Sequence, residues 1–87
     1  MEKILNYING ELVAPVSGSY LENYNPSTGK VYSLLPDSEK QDVDNAVAAA
    51  KAAFIGWSKT PKQERSNILM NLADSIEKHF DELVLVL

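Results

Sequence analysis

The stretch from Ser38 to Ile76 constrains this chain more than any other, because it spells two helices, both of their starts and the connection between them. The Ser38 hydroxyl can cap the free amide of Gln41 while Gln41 reaches back to the Ser38 amide, the reciprocal pairing of a capping box. Val43, Val47, Ala50 and Phe54 then recur at steps of four, three and four, which puts them on one side of a helix. Gly56 predicts the stop, since a residue with no Cβ takes the left-handed conformation that closes a helix end, with Trp57 folding back over the last turn. Thr60, Pro61 and Gln63 repeat the capping logic, with proline at the first helical position, where its missing amide proton costs nothing. Ile68, Leu69, Leu72, Ala73, Ile76 and Phe80 form an apolar face wide enough to require a packing partner. The spacing therefore predicts helices over about 39–54 and 61–80, joined by a short connection as a helical corner.

Everything before Ser38 reads as short strands, all within 4–35. Asn9-Gly10 between two β-prone runs is a strong hairpin signal, because both residues tolerate positive φ. A two-residue loop pairs Ile8 with Glu11 and Tyr7 with Leu12, and leaves Leu5, Tyr7 and Leu12 as the expected buried face. Pro15 ends that hairpin, and Tyr20 to Tyr24 alternates as a third strand. Asn25-Pro26-Ser27-Thr28-Gly29 is a turn, Val31 to Leu35 a fourth strand, and Pro36-Asp37 breaks the extended run ahead of the Ser38 cap. Asp81-Glu82 can open a further helix, but Leu83 to Leu87 is a bare apolar tail of the kind domain ends avoid, so truncation is the expectation.

Composition excludes more than it selects. The 87 residues, 45% hydrophobic and 23% charged, suit one small domain or part of a larger one. With no cysteine, disulfides, thiolate metal sites and a thiol nucleophile are absent from this chain. A net charge of −4 with lysines scattered along the sequence argues against nucleic acid as a partner. Met1 to Leu5 lacks the apolar core of a leader, and no run approaches the roughly 20 apolar residues of a membrane span, so the expected location is cytoplasmic.

Candidate sites are few. Gly29-Lys30 lacks the preceding glycine and following hydroxyl of a phosphate loop, and the glycines at 10, 18, 29 and 56 are too far apart for a dinucleotide fingerprint. His79, the single histidine, falls where it complements a helix C-terminus. Asp74 and Lys78 are spaced as an i,i+4 ion pair. Proline in the middle of Asn25-Pro26-Ser27 forbids glycosylation. Trp57, beside a helix stop and two aliphatic stripes, reads as packing rather than as a ligand platform.

Taken in order, several phrases resemble the opening of the aldehyde dehydrogenase superfamily. They are Tyr-Ile-Asn-Gly-Glu at 7–11, Asn-Pro-Ser-Thr-Gly-Lys-Val at 25–31, Asp-Val-Asp-Asn-Ala-Val-Ala-Ala-Ala-Lys-Ala-Ala-Phe at 42–54, Trp57 with Glu64-Arg65, Ile68-Leu69 with Leu72-Ala73-Asp74, and Asp81-Glu82-Leu83. The segment from Tyr24 to Tyr32 looks most like the branch acting on 2-aminomuconate or 2-hydroxymuconate semialdehyde. The resemblance implies an α/β fold, of which residues 1–87 would be the N-terminal part of the NAD(P)-binding domain: a β-hairpin, a second strand pair and a helical corner.

For the parent protein the same resemblance implies an enzyme that oxidises a small-molecule aldehyde to a carboxylic acid with NAD, or NADP. It implies a homodimer or homotetramer with no membrane partner. The family's cysteine nucleophile, general-base glutamate, oxyanion asparagine and nucleotide loop have no counterparts here, so no catalytic or cofactor-binding residue is assigned and the chain by itself is expected to be inactive. A monovalent cation held by the backbone carbonyls of Asn23 and Tyr24 is the one site the resemblance carries over. Val86-Leu87 departs from the family pattern and reads as a junction. The rival expectation is a small non-catalytic helical module that offers its apolar stripes to a partner.

Overall fold

The computed structural model describes residues 1–86, the last by its backbone alone, so the Val86-Leu87 departure lies outside the described side chains. The chain divides into two compact units, Met1–Phe54 and Ile55–Leu87.

The first unit holds five strands, β1 (Glu2–Lys3), β2 (Asn6–Ile8), β3 (Glu11–Val13), β4 (Tyr20–Tyr24) and β5 (Val31–Pro36), and most of helix α1 (Lys40–Trp57). β2 and β3 form the hairpin with the expected register, Tyr7 opposite Leu12 and Ile8 opposite Glu11. Asn9 and Gly10 close it at φ 54° and 78°, the paired left-handed conformation that a two-residue turn requires. β4 and β5 pair antiparallel, and Asn25–Gly29 is the connecting turn. There the Asn25 carboxamide oxygen accepts the Ser27 N–H at 2.9 Å, and the Gly29 N–H donates to the Asn25 carbonyl at 2.7 Å.

The strand pattern differs from the expectation at both ends. Glu2–Lys3, outside the predicted span of 4–35, joins β5 in parallel, giving the order β1-β5-β4. At the other end Pro36, expected to break the extended run, remains within β5. It pairs with Tyr20 at the end of the ladder, where a missing N–H is tolerated.

The faces of the hairpin are also exchanged. Tyr7 and Leu12 are 73% and 66% exposed, and of the expected face only Leu5, outside the strands, is half-buried. Asn6, Ile8 and Val13 are half-buried instead. Residues opposite one another in an antiparallel pair share a face, so the register that joins Asn6 to Val13 and Ile8 to Glu11 makes these the covered side. In helix α1, too, the covered face is not the one with the larger side chains. Its large apolar stripe, Val43, Val47 and Phe54, is exposed, while Asp42 is buried and Ala46 and Ala49 are half-buried one and two turns on. A shallow groove beside the hairpin is lined by Ile8 with Ala46, Ala49 and Ala53.

The start of α1 is capped differently from the expected Ser38–Gln41 box. The Asp42 carboxylate accepts the Glu39 N–H at 2.9 Å, the backward half of a capping box set one residue later, and Gln41 turns to Asn45. Its other oxygen accepts the Val16 N–H at 2.9 Å, so one carboxylate joins the strand exit after β3 to the helix start. Ser38 meets the hairpin instead, accepting from the Asn6 carboxamide at 2.8 Å.

In the second unit, α1 runs past Gly56 to Trp57, beyond the predicted end at 54. Gly56 is not among the positive-φ residues; the chain leaves the helix through bonds from the Lys59 N–H to Gly56 and from the Thr60 N–H to Trp57. Helix α2 (Lys62–Lys78) takes Pro61 as its N-cap, one residue after the expected Thr60 and without a side-chain cap, and Gln63 bonds Asn67. A separate helix α3 (Phe80–Val86) follows, with Asp81 and Glu82 in its first turn, where they complement the helix dipole. Asp74 and Lys78 form no ion pair among the described residues; the i,i+4 pair is Lys40–Asp44 at 2.8 Å in α1, worth about 0.3–0.5 kcal/mol on an exposed helix face.

The Asp42 junction yields a direct test. Hydrogen bonds to a charged group contribute about 1.5–3 kcal/mol each, so Asp42→Ala, which strands two amides, should destabilise the first unit by roughly 3 kcal/mol or more. Asp42→Asn keeps one acceptor and should cost less. Amide exchange followed by NMR should show faster exchange at Val16 and Glu39 in Asp42→Ala, and unchanged exchange at both would sink the assignment.

Candidate functional site

Asn23 and Tyr24, the two residues singled out for carbonyl ligation, stand at the end of β4, which forms an edge of the three-stranded sheet. A register shift separates them: Asn23 pairs with Ser33 and Tyr24 with Val31, so Tyr32 is the extra residue of a β-bulge. The Asn23 side chain is fixed by donating from Nδ2 to the Ser33 hydroxyl at 3.0 Å. Ser33, on the central strand, is 1% exposed, so its hydroxyl needs that partner. Tyr24 is exposed, and its phenol donates to a Glu22 carboxylate oxygen at 2.7 Å on the same strand face. This bond, and the negative charge of Glu22, raise the phenol above its ordinary value near 10.0.

The Asn23 carboxamide bond, the register shift and the Asn25 turn meet at this corner of the sheet. Consecutive carbonyls along a regular strand point to opposite sides. The register shift falls between the two residues, with the extra residue, Tyr32, on the facing strand β5.

The other singled-out side chains take structural positions. His79 closes α2, its N–H donating to the Ser75 carbonyl at 3.1 Å and its Nδ1 lying 2.8 Å from the same oxygen. That is the helix-terminus role expected for it. Trp57 remains 46% exposed and so is not a core residue of this chain. Among the described residues no cluster of His, Cys, Asp or Glu could hold a metal ion, and no helix is long and apolar enough to cross a membrane.

Sequence reasoning missed the grooves between the hairpin and α1. The smaller, about 200 Å³, is lined by Asn6, Ile8, Ser38, Asp42 and Ala46 among others. The larger, about 350 Å³, runs from Gly10 along Ala46, Ala49 and Ala53. The available signal was the small-residue spacing at 42, 46, 49 and 53, which the larger residues of the neighbouring stripe obscured.

Residues 13–87 match the aldehyde dehydrogenase family. The chain belongs to that family. It is 50% identical over 78 residues to the 2-aminomuconic semialdehyde dehydrogenase of Bos taurus, covering 90% of this chain and 16% of the relative. It is 46% identical over 78 residues to an acetaldehyde dehydrogenase of Pseudomonas aeruginosa, covering 90% of this chain and 15% of that protein. A solved structure of an aldehyde dehydrogenase from Bacillus cereus superimposes with a TM-score of 0.87 at 39% identity, covering 94% of this chain and 17% of the other. The chain thus spans about one-sixth of the length of these aldehyde dehydrogenases, and its mixed strands and helices have the α/β character expected of the family.

The Glu22–Tyr24 pair can be tested by titration. Tyrosinate forms by losing the proton that makes the bond, so the pair holds below the phenol's ordinary range and is lost as pH rises through its raised value. Glu22→Gln should bring the Tyr24 titration down toward the ordinary value, read from its ring-carbon shift by NMR. A Tyr24 titration that Glu22→Gln leaves in place would refute the pairing.

Proposed function

We propose that this chain is the N-terminal scaffold of the nucleotide-binding domain of an NAD(P)-dependent aldehyde dehydrogenase, with NAD the first choice of cofactor. The observation that carries the reading is the 50% identity to a bovine 2-aminomuconic semialdehyde dehydrogenase along 90% of this chain and only 16% of that enzyme. A muconate-type semialdehyde is the proposed substrate, and a cytoplasmic homodimer or homotetramer the proposed assembly. Large apolar side chains left open on the helices, such as Val47, Phe54, Leu72 and Ile76 at 46%, 65%, 55% and 49% exposure, support a part whose faces are covered in a larger protein.

Family chemistry needs a thiolate to attack the aldehyde carbon and a nicotinamide that, when bound, accepts the hydride. This chain has no cysteine, so no such step is assigned to its residues. Nor do its residues fit a nucleotide. Gly10, Gly18 and Gly29 each close a separate turn, at φ 78°, 75° and 70°, and no helix starts on any of them. The role assigned to residues 1–87 is support for the nucleotide site rather than part of it.

The carbonyls of Asn23 and Tyr24 are the proposed protein ligands of a monovalent cation. Carbonyl oxygens suit hard cations. The register shift between these residues, opposite the extra residue Tyr32 of β5, supports the reading, because it interrupts the ladder that would otherwise engage the β4 carbonyls.

A second reading, a non-catalytic helical interaction module, is favoured by the exposed α2 residues Ile68, Leu72 and Ile76. Sequencing the transcript across the Leu87 codon, then expressing both the 87-residue chain and whatever frame continues from it, separates the two. Assayed for reduced nicotinamide formation with a muconate semialdehyde and with acetaldehyde, the short chain should show no turnover and the extended protein should oxidise the semialdehyde. Turnover by the short chain would refute the scaffold role, and a stop codon directly after Leu87 would favour the interaction module.

A further inference from the structure

We propose that Asn9 is a site of spontaneous succinimide-mediated deamidation, and that the isoaspartate formed there uncouples the β2–β3 hairpin. The reaction needs an asparagine side chain, an unhindered following backbone nitrogen and a backbone free to bring them together. The chain has asparagines at 6, 9, 23, 25, 45, 67 and 71, and the structure separates Asn9 from the other six.

Asn25 precedes Pro26, whose nitrogen carries no proton and is closed to this chemistry. Asn45, Asn67 and Asn71 lie inside α1 and α2, and each is followed by another helical residue carrying a side chain. Asn6 and Asn23 are in strands, and their carboxamides are committed to Ser38 and Ser33 at 2.8 and 3.0 Å. Asn9 alone precedes a glycine.

Its surroundings are open as well. Both turn residues are exposed, and nothing lies within 4 Å of the place a Cβ on Gly10 would occupy. Among the described residues the Asn9 carboxamide has no hydrogen-bond partner, and the Gly10 N–H, outside the Ile8–Glu11 pair, makes no backbone bond. The flanking strands are three residues each in a two-stranded sheet, the arrangement least able to hold a turn closed.

The step balances without any added reagent except water. The Gly10 nitrogen attacks the Asn9 Cγ; the new N–Cγ bond forms, the Cγ–Nδ2 bond breaks, and ammonia leaves with the Gly10 amide proton. Water then opens the ring. Cleavage on the Cγ side gives aspartate, and cleavage at the α-carbonyl gives isoaspartate, whose main chain runs through Cγ. The positive φ values of 54° and 78° keep the closed turn in one geometry, so attack proceeds from its opened form. The extra main-chain carbon of isoaspartate no longer fits a two-residue loop that sets Ile8 opposite Glu11, and the register of Asn6 with Val13 depends on that loop.

The test is incubation of the full 87-residue chain in mildly alkaline buffer beside a free peptide of residues 4–14, with samples taken over time. Peptide mapping and isoaspartyl methyltransferase labelling should find isoaspartate at position 9 in both, slower in the full chain, with no comparable change at the other asparagines. Asn9→Gln should abolish the signal, and Gly10→Ala should strongly reduce it in the peptide, where turn strain plays no part. NMR of the modified chain should show lost amide protection at Ile8 and Glu11. The proposal is overturned if the full chain stays unmodified while the peptide reacts, if isoaspartate arises equally at other asparagines, or if the modified chain keeps its hairpin protection.

Discussion

The carboxylate of Asp42 holds the first unit of this protein together. It is 4% exposed, and its oxygens take the amide protons of Val16 and Glu39, each at 2.9 Å. The first is where the chain leaves the hairpin past the buried Pro15, and the second is where α1 begins. Each amide would otherwise need another acceptor, so the residue satisfies two obligatory donors and fixes the helix against a loop 26 residues away. An ionised group at the first turn also complements the positive end of the helix dipole. The Asn6–Ser38 bond adds a second polar tie across 32 residues. Long-range order in this unit is therefore written in polar contacts.

That follows from what the unit lacks. Among the described residues no large hydrophobic side chain is buried; the buried residues are Ser33, Asp42 and Pro15. Full burial of a Val, Leu, Ile or Phe side chain is worth about 1.5–3 kcal/mol, and here that term is largely unused. Helix α1 sets an alanine face beside the hairpin and leaves Val43, Val47 and Phe54 outward at 57%, 46% and 65% exposure. Ladders, turns and capping bonds specify the shape, but most of the apolar area that would stabilise it stays open.

The same division explains what could be read from the sequence. Turn chemistry is local, so Asn9-Gly10 gave the hairpin and its register, and Asn25 to Gly29 gave the link between β4 and β5. Facing is not local. The rule that larger apolar residues point inward predicted Leu5, Tyr7 and Leu12 as the buried side of the hairpin, and the spacing of Val43 and Val47 gave α1 its apolar stripe without saying what covers it. The structure covers Asn6, Ile8, Asp42 and Ala46 more fully than Tyr7, Leu12, Val43 and Val47. Helix caps failed for a related reason: Ser38 has the right chemistry for its own helix, yet its hydroxyl is taken by Asn6, a partner only the fold brings near. The parallel pairing of Glu2–Lys3 with β5 had no signal at all, since two exposed charged residues do not spell a strand.

The proposed cation corner rests on resemblance, because no side chain marks it. Backbone carbonyls carry no residue-type signature, and the side chains at Asn23 and Tyr24 are engaged by Ser33 and Glu22. What distinguishes the corner is the bulge, a property of the pairing between two strands rather than of either strand alone. The chain is nearly as similar to a protein named for acetaldehyde, at 46%, as to one named for 2-aminomuconic semialdehyde, at 50%. Its identifiable contributions are turns, caps and a helix approach, features of backbone geometry that make no demand on the identity of an aldehyde. Residues that act on backbone geometry can carry a strong family signature whichever aldehyde a relative is named for.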